Sequence, residues 1–437
     1  MREMKDSGIE WIGNIPEIWS LKPIRALFDE VTEKNFLGTC SNALKFTYGS
    51  IVRKPNFDAD ADDYVASTIL NYTVVEPGTI MLNGLNLNFD FVSQRIGLVK
   101  EKGVITSAYM AFKPNEKQLI DSEFATYLFK AYDGCKAFHN MGGGVRKILN
   151  FNEFKKYYIP LPDLNEQQHI VDFLDTQCSE IDATAEDIQK EIFLLEDYKK
   201  SVITEAVTKG LNPDAEMKDS GIEWIGDINR KASLCRLKFF SYMKGRIGWQ
   251  GLKSEDFIDN GPYCVTGTDF INGKINWDTC YHVSEERYKM DSNIQLKIGD
   301  LLVTKDGTIG KLAKVTELPE KACLNSHLLI IRPLNERFTN EYLYYVISSD
   351  VFVRYYKYSS TGSTMESLSQ EKLGNFIFPV YDLLSQQQIV DYLDSKCSEI
   401  ETLIADKKRQ LDILADYKKY LIYEYVTGKK EVPVKDF

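Results

Sequence analysis

The chain has 437 residues, 43% of them apolar and 27% charged, with a net charge of −11. At roughly 100 to 200 residues per domain, this length excludes one small domain, and the composition excludes a disordered or fibrous chain. No run approaches the roughly 18 apolar residues of a membrane span, the opening residues carry no apolar signal core, and eight cysteines without a CxxC pair suit neither a disulfide framework nor a zinc site. A cytoplasmic protein with no membrane association is expected. Four histidines, His139, His169, His282 and His327, leave little for metal or nucleophilic catalysis.

An internal repeat organises everything that follows. MKDSGIEWIG at residues 4–13 returns letter for letter at 217–226, a shift of 213. QQHIVDFLDTQCSEI at 167–181 matches QQQIVDYLDSKCSEI at 386–400, a shift of 219, which the Asp-Tyr-Lys-Lys runs at 197–200 and 416–419 preserve. The chain therefore reads as a β-rich unit (1–162), a long helix (163–210), a second β-rich unit (211–381), a second long helix (382–428) and a tail (429–437).

In chain order, the first unit shows strand-forming runs at 72–75 and 79–82 around the turn Glu76, Pro77, Gly78. The second shows them at 295–298 and 301–304 around Gly299 and Asp300. At the 219 shift, ITSAYMAFKP at 105–114 falls on LNSHLLIIRP at 324–333, and residues 140–154 fall on 359–373. A fixed scaffold with divergent loops is expected where each copy reads a different target.

The first helix follows the N-cap candidates Asp163 and Asn165 and ends at Gly210 and Pro213. From Leu174, the positions Cys178, Ile181, Ala185, Ile188, Ile192 and Leu195 alternate by four and three, the spacing of a coiled-coil seam. The copy gives Leu393, Cys397, Ile400, Ile404, Leu411 and Leu414, with Lys407 as the poor position. A rod of about 60 Å with one apolar stripe needs a partner. Its own copy is the obvious one, and packing on its own domain is the alternative. Charge is uneven: Lys and Arg against Asp and Glu count 19 to 19 over 1–160, but 4 to 12 over 161–210. Both β-rich units are near neutral, so the acidic excess lies on the first helix.

Three apparent chemical motifs fail. Residues 305–312 resemble a phosphate loop, but Lys305 stands where the first Gly is required and Leu312 replaces the hydroxyl residue. A tight turn between strands is the better reading. Asn260, Gly261, Pro262 and Tyr263 resemble a methyltransferase tetrapeptide without its cofactor loop, and Glu153 with Lys155 has no second carboxylate cluster. The remaining loop residues suit DNA contact, being amides, cations and hydroxyls able to reach base edges and phosphates. In the first unit they are Asn83, Asn86, Asn88, Arg95, Ser107, Tyr109, Arg146 and Lys147. In the second they are Arg246, Trp249, Gln250, Lys305, Thr308, Ser326, His327, Ser363 and Thr364.

SGIEWIGNIPEIW at 7–19, the Pro-rich ends of both β-rich units (Ile159, Pro160, Leu161, Pro162; Phe378, Pro379) and helices opening in Gln-Gln-x-Ile-Val-Asp together resemble the specificity subunit of Type I restriction–modification systems. The likeness covers the whole chain. It implies an α+β protein with two similar target-recognition domains, each reading half of a bipartite asymmetric site on double-stranded DNA. It also implies that the two helices pair as an antiparallel coiled coil. They would dock the methyltransferase subunits, two of them, and the restriction/translocase subunits. No catalytic centre, metal or cofactor is implied on this chain, whereas S-adenosylmethionine, ATP and Mg are implied on the partners. After Gly226, Asp227, Ile228, Asn229 and Arg230 depart from the first copy. A coiled-coil adaptor whose repeated domains bind protein is the alternative from a different class, and an enzyme with one active site between the halves is the third.

Overall fold

Apolar residues alternating with the period of a pleated strand set the core of each repeat. A computed structural model describes residues 2–55, 68–89, 94–143, 147–246, 252, 254–360 and 367–433. The chain divides into two compact units, Met1–Ile188 with Arg409–Phe437, and Gln189–Lys408.

The first unit is built on four antiparallel strands, β1 (Phe28–Glu30), β2 (Ile80–Leu82), β3 (Ile96–Leu98) and β4 (Met110–Pro114), in the order β1-β4-β2-β3. Met110 pairs with Leu82 and Phe112 with Ile80. Those four side chains face helix α1 (Ser122–Gly134) and pack with Phe124, Leu128 and Phe129, while Met81 and Ala111 between them face the other way, onto Leu44, Val75 and Ile105. Phe112 sits 5.3 to 5.7 Å, centroid to centroid, from Phe28, Phe129 and Phe154. Each such fully buried ring contributes about 1.5 to 3 kcal/mol. Asp121 caps α1, its carboxylate accepting from the backbone N–H groups of Glu123 and Phe124.

Helix α2 (Leu164–Lys209) starts where Asp163 accepts from the Glu166 N–H at 2.9 Å and stops before Gly210 at φ +76°. Its Gln167, 0% exposed, explains half of the repeated Gln-Gln pair. Its amide accepts from the Asp121 N–H and donates to the carbonyls of Leu119 and Pro162, at 2.7, 3.0 and 2.9 Å. The second residue, Gln168, donates along the helix to Asp172. Tyr127 of α1 reaches the same helix, its hydroxyl donating to Asp175 at 2.6 Å. Burial, and then that hydrogen bond, raise the Tyr127 pKa well above the usual phenol range.

The second unit carries the same four-strand frame and extends it. Its strands include β5 (Ser241–Gly245), β6 (Phe257–Val265), β7 (Phe270–Ile271), β8 (Lys274–Ile275), β9 (Leu301–Thr304), β10 (Leu312–Lys314), β11 (Ala322–Leu324) and β12 (Leu328–Pro333). Six form one sheet in the order β5-β12-β9-β10-β8-β7, of which the first four match β1-β4-β2-β3. Leu301, Val303, Leu329 and Ile331 face helix α3 (Asn340–Ser348). Leu302, Leu328 and Ile330 face a second core containing Cys264, Val265, Cys323 and Leu324. β6 runs parallel to β11, with Cys264 opposite Cys323. Residues 295–298 do not form the expected strand. The Lys297 N–H turns instead to the Asp300 carboxylate, which also holds Arg332. Helix α4 (Leu383–Val426) repeats the opening of α2. Gln386, also 0% exposed, accepts from the Thr339 N–H and donates to the carbonyls of Arg337 and Tyr381, and Tyr345 donates to Asp394.

Along α2, Leu174, Cys178, Ile188 and Ile192 are buried and Ile181, Ala185 and Leu195 half-buried. Along α4, Leu393, Cys397, Ile400 and Ile404 are buried and Leu411 and Leu414 half-buried. The apolar stripe is therefore the covered face of each helix, and Lys407, its poor position, reaches Glu191 at 2.5 Å. The repeated decapeptide forms the same turn in both copies. Asp6 and Ser7 accept from the N–H groups of Gly8 and Ile9, as Asp219 and Ser220 do from those of Gly221 and Ile222.

Candidate nucleic-acid interface

A strand pair ends where its last hydrogen-bonded residues stop, so the loops leaving that end are neighbours whatever their separation in sequence. In the first unit, the Leu82–Met110 pair places the loop after β2 beside the turn before β4. The first loop carries Asn83, whose side chain accepts from the Leu85 N–H, and Asn86, exposed at φ +50°. Asn88 is exposed too. Leu149 donates its N–H to the Gly84 carbonyl at 2.9 Å, and a Cβ at Gly84 would lie 2.3 Å from the Leu149 oxygen, so only glycine fits there. In the turn before β4, the exposed Ser107 donates to the Asn71 carbonyl and meets Lys34 at 2.5 Å and Thr73 at 3.1 Å. Tyr109 is half-buried against Phe46, ring centroids 5.4 Å apart. Lys147, at φ +39°, donates to the His139 carbonyl.

The second unit places the corresponding loops together. Leu368 donates its N–H to the Lys305 carbonyl at 2.8 Å, and the Lys305 N–H donates to the His327 carbonyl at 2.9 Å. Lys305, Thr308, Ser326 and His327 thus share one end of the sheet, with His327 3.2 Å from Asp306 and Ser326 donating to Asn325. Residues 305–311 form the turn between β9 and β10, held because Thr304 donates to the Thr308 carbonyl and accepts from the Lys311 N–H. The stretch that resembled a phosphate loop is this turn. Thr266, Thr268 and Lys311 join the cluster, with Lys311 donating to the Gly267 carbonyl at 3.0 Å. Sequence reasoning missed these three and also Lys34 and Thr73; Lys311 lies in the turn itself, and strand pairing brings the others near. Asn325 lay one residue from a named candidate.

Two of the expected contacts are buried. Arg95 is 6% exposed, and its guanidinium donates to the carbonyls of Asn83 and Leu85, each at 2.8 Å, and of Asn86 at 3.3 Å. Arg246 is 3% exposed and donates to the Leu324 carbonyl at 3.0 Å and to the Cys323 sulfur at 3.4 Å. Neither presents its charge outward, because buried carbonyls at loop bends need donors and arginine supplies several in one plane. The hydrogen bond from Cys264, and then the Arg246 charge, lower the Cys323 thiol pKa against the opposing effect of burial. Arg146, Trp249, Gln250, Ser363 and Thr364 lie outside the described residues.

Comparison with known proteins gives this arrangement its class. The family model of the Type I restriction modification DNA specificity domain matches residues 22–193 and 250–411, more than half of the chain. Two frames with loops gathered at one sheet end are thus those of a DNA target-recognition protein. The chain belongs to the specificity subunits of Type I restriction–modification systems. It is 23% identical over 429 residues to the Type I restriction enzyme MjaVIII specificity subunit of Methanocaldococcus jannaschii, covering 97% of this chain and 95% of that relative. The putative MjaX specificity subunit of the same organism is 22% identical over 435 residues, covering 96% of each chain. A solved structure of a type I R-M system, reported for its complex assembly and conformational transition, matches in fold with a TM-score of 0.68 at 15% identity, over 95% of this chain and 99% of that one.

Specificity subunits of this family are in general non-catalytic and carry no cofactor themselves. The family implies DNA and the other subunits of such a system as partners. That favours DNA target recognition over the protein-binding adaptor that the sequence left open. Among the described residues, no helix is long and apolar enough to cross a membrane.

Proposed function

We propose that this chain reads a bipartite, asymmetric double-stranded DNA site, each domain reading one half with the loops at the end of its sheet. It docks two methyltransferase subunits and the restriction/translocase subunits, in the cytoplasm. It holds no catalytic centre or metal of its own, and S-adenosylmethionine, ATP and Mg act on the partners. One observation carries the reading: matching loop positions on one scaffold bear different groups. Gly84 and Lys305 make the same backbone bond to Leu149 and Leu368, yet one has no side chain and the other is a cation. Ser107 matches Ser326, while Ala108 beside it matches His327. Two readers with different donors and acceptors suit half-sites of different sequence.

The long helices α2 and α4 act as an antiparallel coiled coil. In the first unit, Phe173 packs at a tilt against Tyr425 with centroids 4.5 Å apart, and Asp182 meets Lys418 at 2.6 Å. In the second, Glu191 meets Lys407 and Lys199 meets Glu401. In each unit the partner's number falls as the position along α2 rises, which supports opposed directions. Leu194 and Tyr198, and at the 219 shift Ile413 and Tyr417, are exposed apolar pairs one turn apart. A surface that occurs twice suits two copies of one partner.

Mapping methylated bases with the reconstituted methyltransferase complex tests the modular reading. Replacing residues 20–155 with those of a relative is expected to change one half-site, and a swap that changes both sinks it. Affinity for random duplex DNA is expected to fall steeply with salt. A flat titration would return the adaptor reading.

A further inference from the structure

Arg95 and Arg246 occupy unrelated positions in the two repeats, since neither the 213 nor the 219 shift aligns them, yet each does the same work behind the loops assigned above to DNA reading. Arg95 ties three carbonyls of one bend, Asn83, Leu85 and Asn86. Its own backbone closes the arrangement, with the Asn83 N–H donating to the Arg95 carbonyl and the Arg95 N–H to the Asp133 carboxylate. The bend ends in Asn86 at φ +50°, a left-handed conformation that asparagine tolerates better than most residues. Arg246 holds the end of β11 at Cys323 and Leu324, from which the turn carrying Asn325, Ser326 and His327 departs.

We infer that Arg95 and Arg246 are positioning residues for sequence reading, each shaping one loop from behind and each governing one half-site only. The inference rests on the reading proposed above. Lysine keeps the charge but is a point donor without the planar fork that lets each guanidinium reach two or more acceptors at once, so Arg→Lys separates shape from charge. A buried guanidinium touches no phosphate, so general DNA affinity does not depend on it.

The test uses the full chain assembled with its methyltransferase partners, the native site first being fixed by mapping methylation with unaltered protein. For Arg95→Lys we expect at least a tenfold loss of discrimination between a native-site duplex and a random one, with altered bases confined to one half-site. Affinity for the random duplex and its salt slope should stay within twofold. Arg246→Lys should do the same at the other half-site. Discrimination unchanged within twofold, a loss spread over both half-sites in a folded complex, or a reduced salt slope for random DNA would each overturn the inference, the last by making these residues phosphate contacts. If Arg95→Lys lowers the melting temperature enough to disrupt the complex, Asp133→Asn decides. It weakens the carboxylate that anchors the Arg95 N–H, and must cause a smaller loss at the same half-site or the inference fails. Asn86→Ala and Ser326→Ala separate this inference from its foundation. If they shift half-sites and the arginine variants do not, the inference falls alone, and if none of the four does, the assignment of the loops falls as well.

Discussion

The two units hold the same frame by the same contacts and finish it differently. Gln167 and Gln386 insert identically into three backbone groups, and Tyr127 and Tyr345 reach matching aspartates, Asp175 and Asp394. By contrast, among the described residues β7 and β8 extend only the second of the two main sheets, and the arginines behind the loops stand at unrelated positions. What is kept lies where a domain meets its helix, and what varies lies at the far end of the sheet. Geometry at the helix is shared by both copies, whereas each loop answers to its own target.

The severest test of the equivalence is a charge on the covered stripe. Ile192→Asp, at a position 2% exposed, is expected to cost about 3 to 5 kcal/mol and to reduce co-purification with methyltransferase subunits. An unchanged melting curve would remove the seam. Next come the glutamine clips. Gln167→Leu and Gln386→Leu each orphan three backbone groups, one of them in a buried bond and two in part-buried ones, and should cost about 1 to 3 kcal/mol in denaturant titrations. The two losses should agree within about 1 kcal/mol. A silent clip in one unit would break the comparison there.

Tyr127→Phe and Tyr345→Phe should each cost about 1 kcal/mol. They also carry a pH test. Burial and the aspartate hydrogen bonds raise both phenol pKa values in the fold, so the neutral form is the stabilised one. Its contribution is complete below the unfolded value of about 10 and is lost as pH rises above it. The double variant should therefore lose stability less steeply above that pH than the parent, and an identical alkaline limb would count against both contacts. The smallest expected effect concerns Lys407, which occupies in α4 the place of Ile188 in α2. Lys407→Ile gives up a partly exposed ion pair with Glu191, worth about 0 to 1 kcal/mol, for an apolar contact, and should be neutral or stabilising by up to about 1 kcal/mol.

Much of this was legible in the sequence because it is local or repeated. The covered positions of both long helices follow from a 3.5-residue period, and Asp163 and Gly210 mark the ends of α2 by chemistry confined to one turn. Ser107 with Ser326 followed from the 219 shift alone. The burial of Arg95 and Arg246 did not, since the groups that accept from them lie 9 to 12 residues away in one case and 77 to 78 in the other. An arginine looks the same in a sequence whether it faces solvent or a bend. Residues 295–298 had strand-forming composition, but Asp300 competed for the Lys297 N–H and won. Lys34 and Thr266 joined the interface only through strand pairing across long separations.

The glutamine clip has a consequence for heredity. Every partner of Gln167 and Gln386 is a main-chain atom, so the seat that receives each domain is blind to the side chains of the domain it holds. Drift or exchange that rewrites a domain's surface leaves those partners in place as long as the backbone path at 119–121 or 337–339 survives. A lineage can therefore replace what it recognises in one event without re-tuning the seat, and two copies can diverge without limit in their loops while remaining interchangeable at their base.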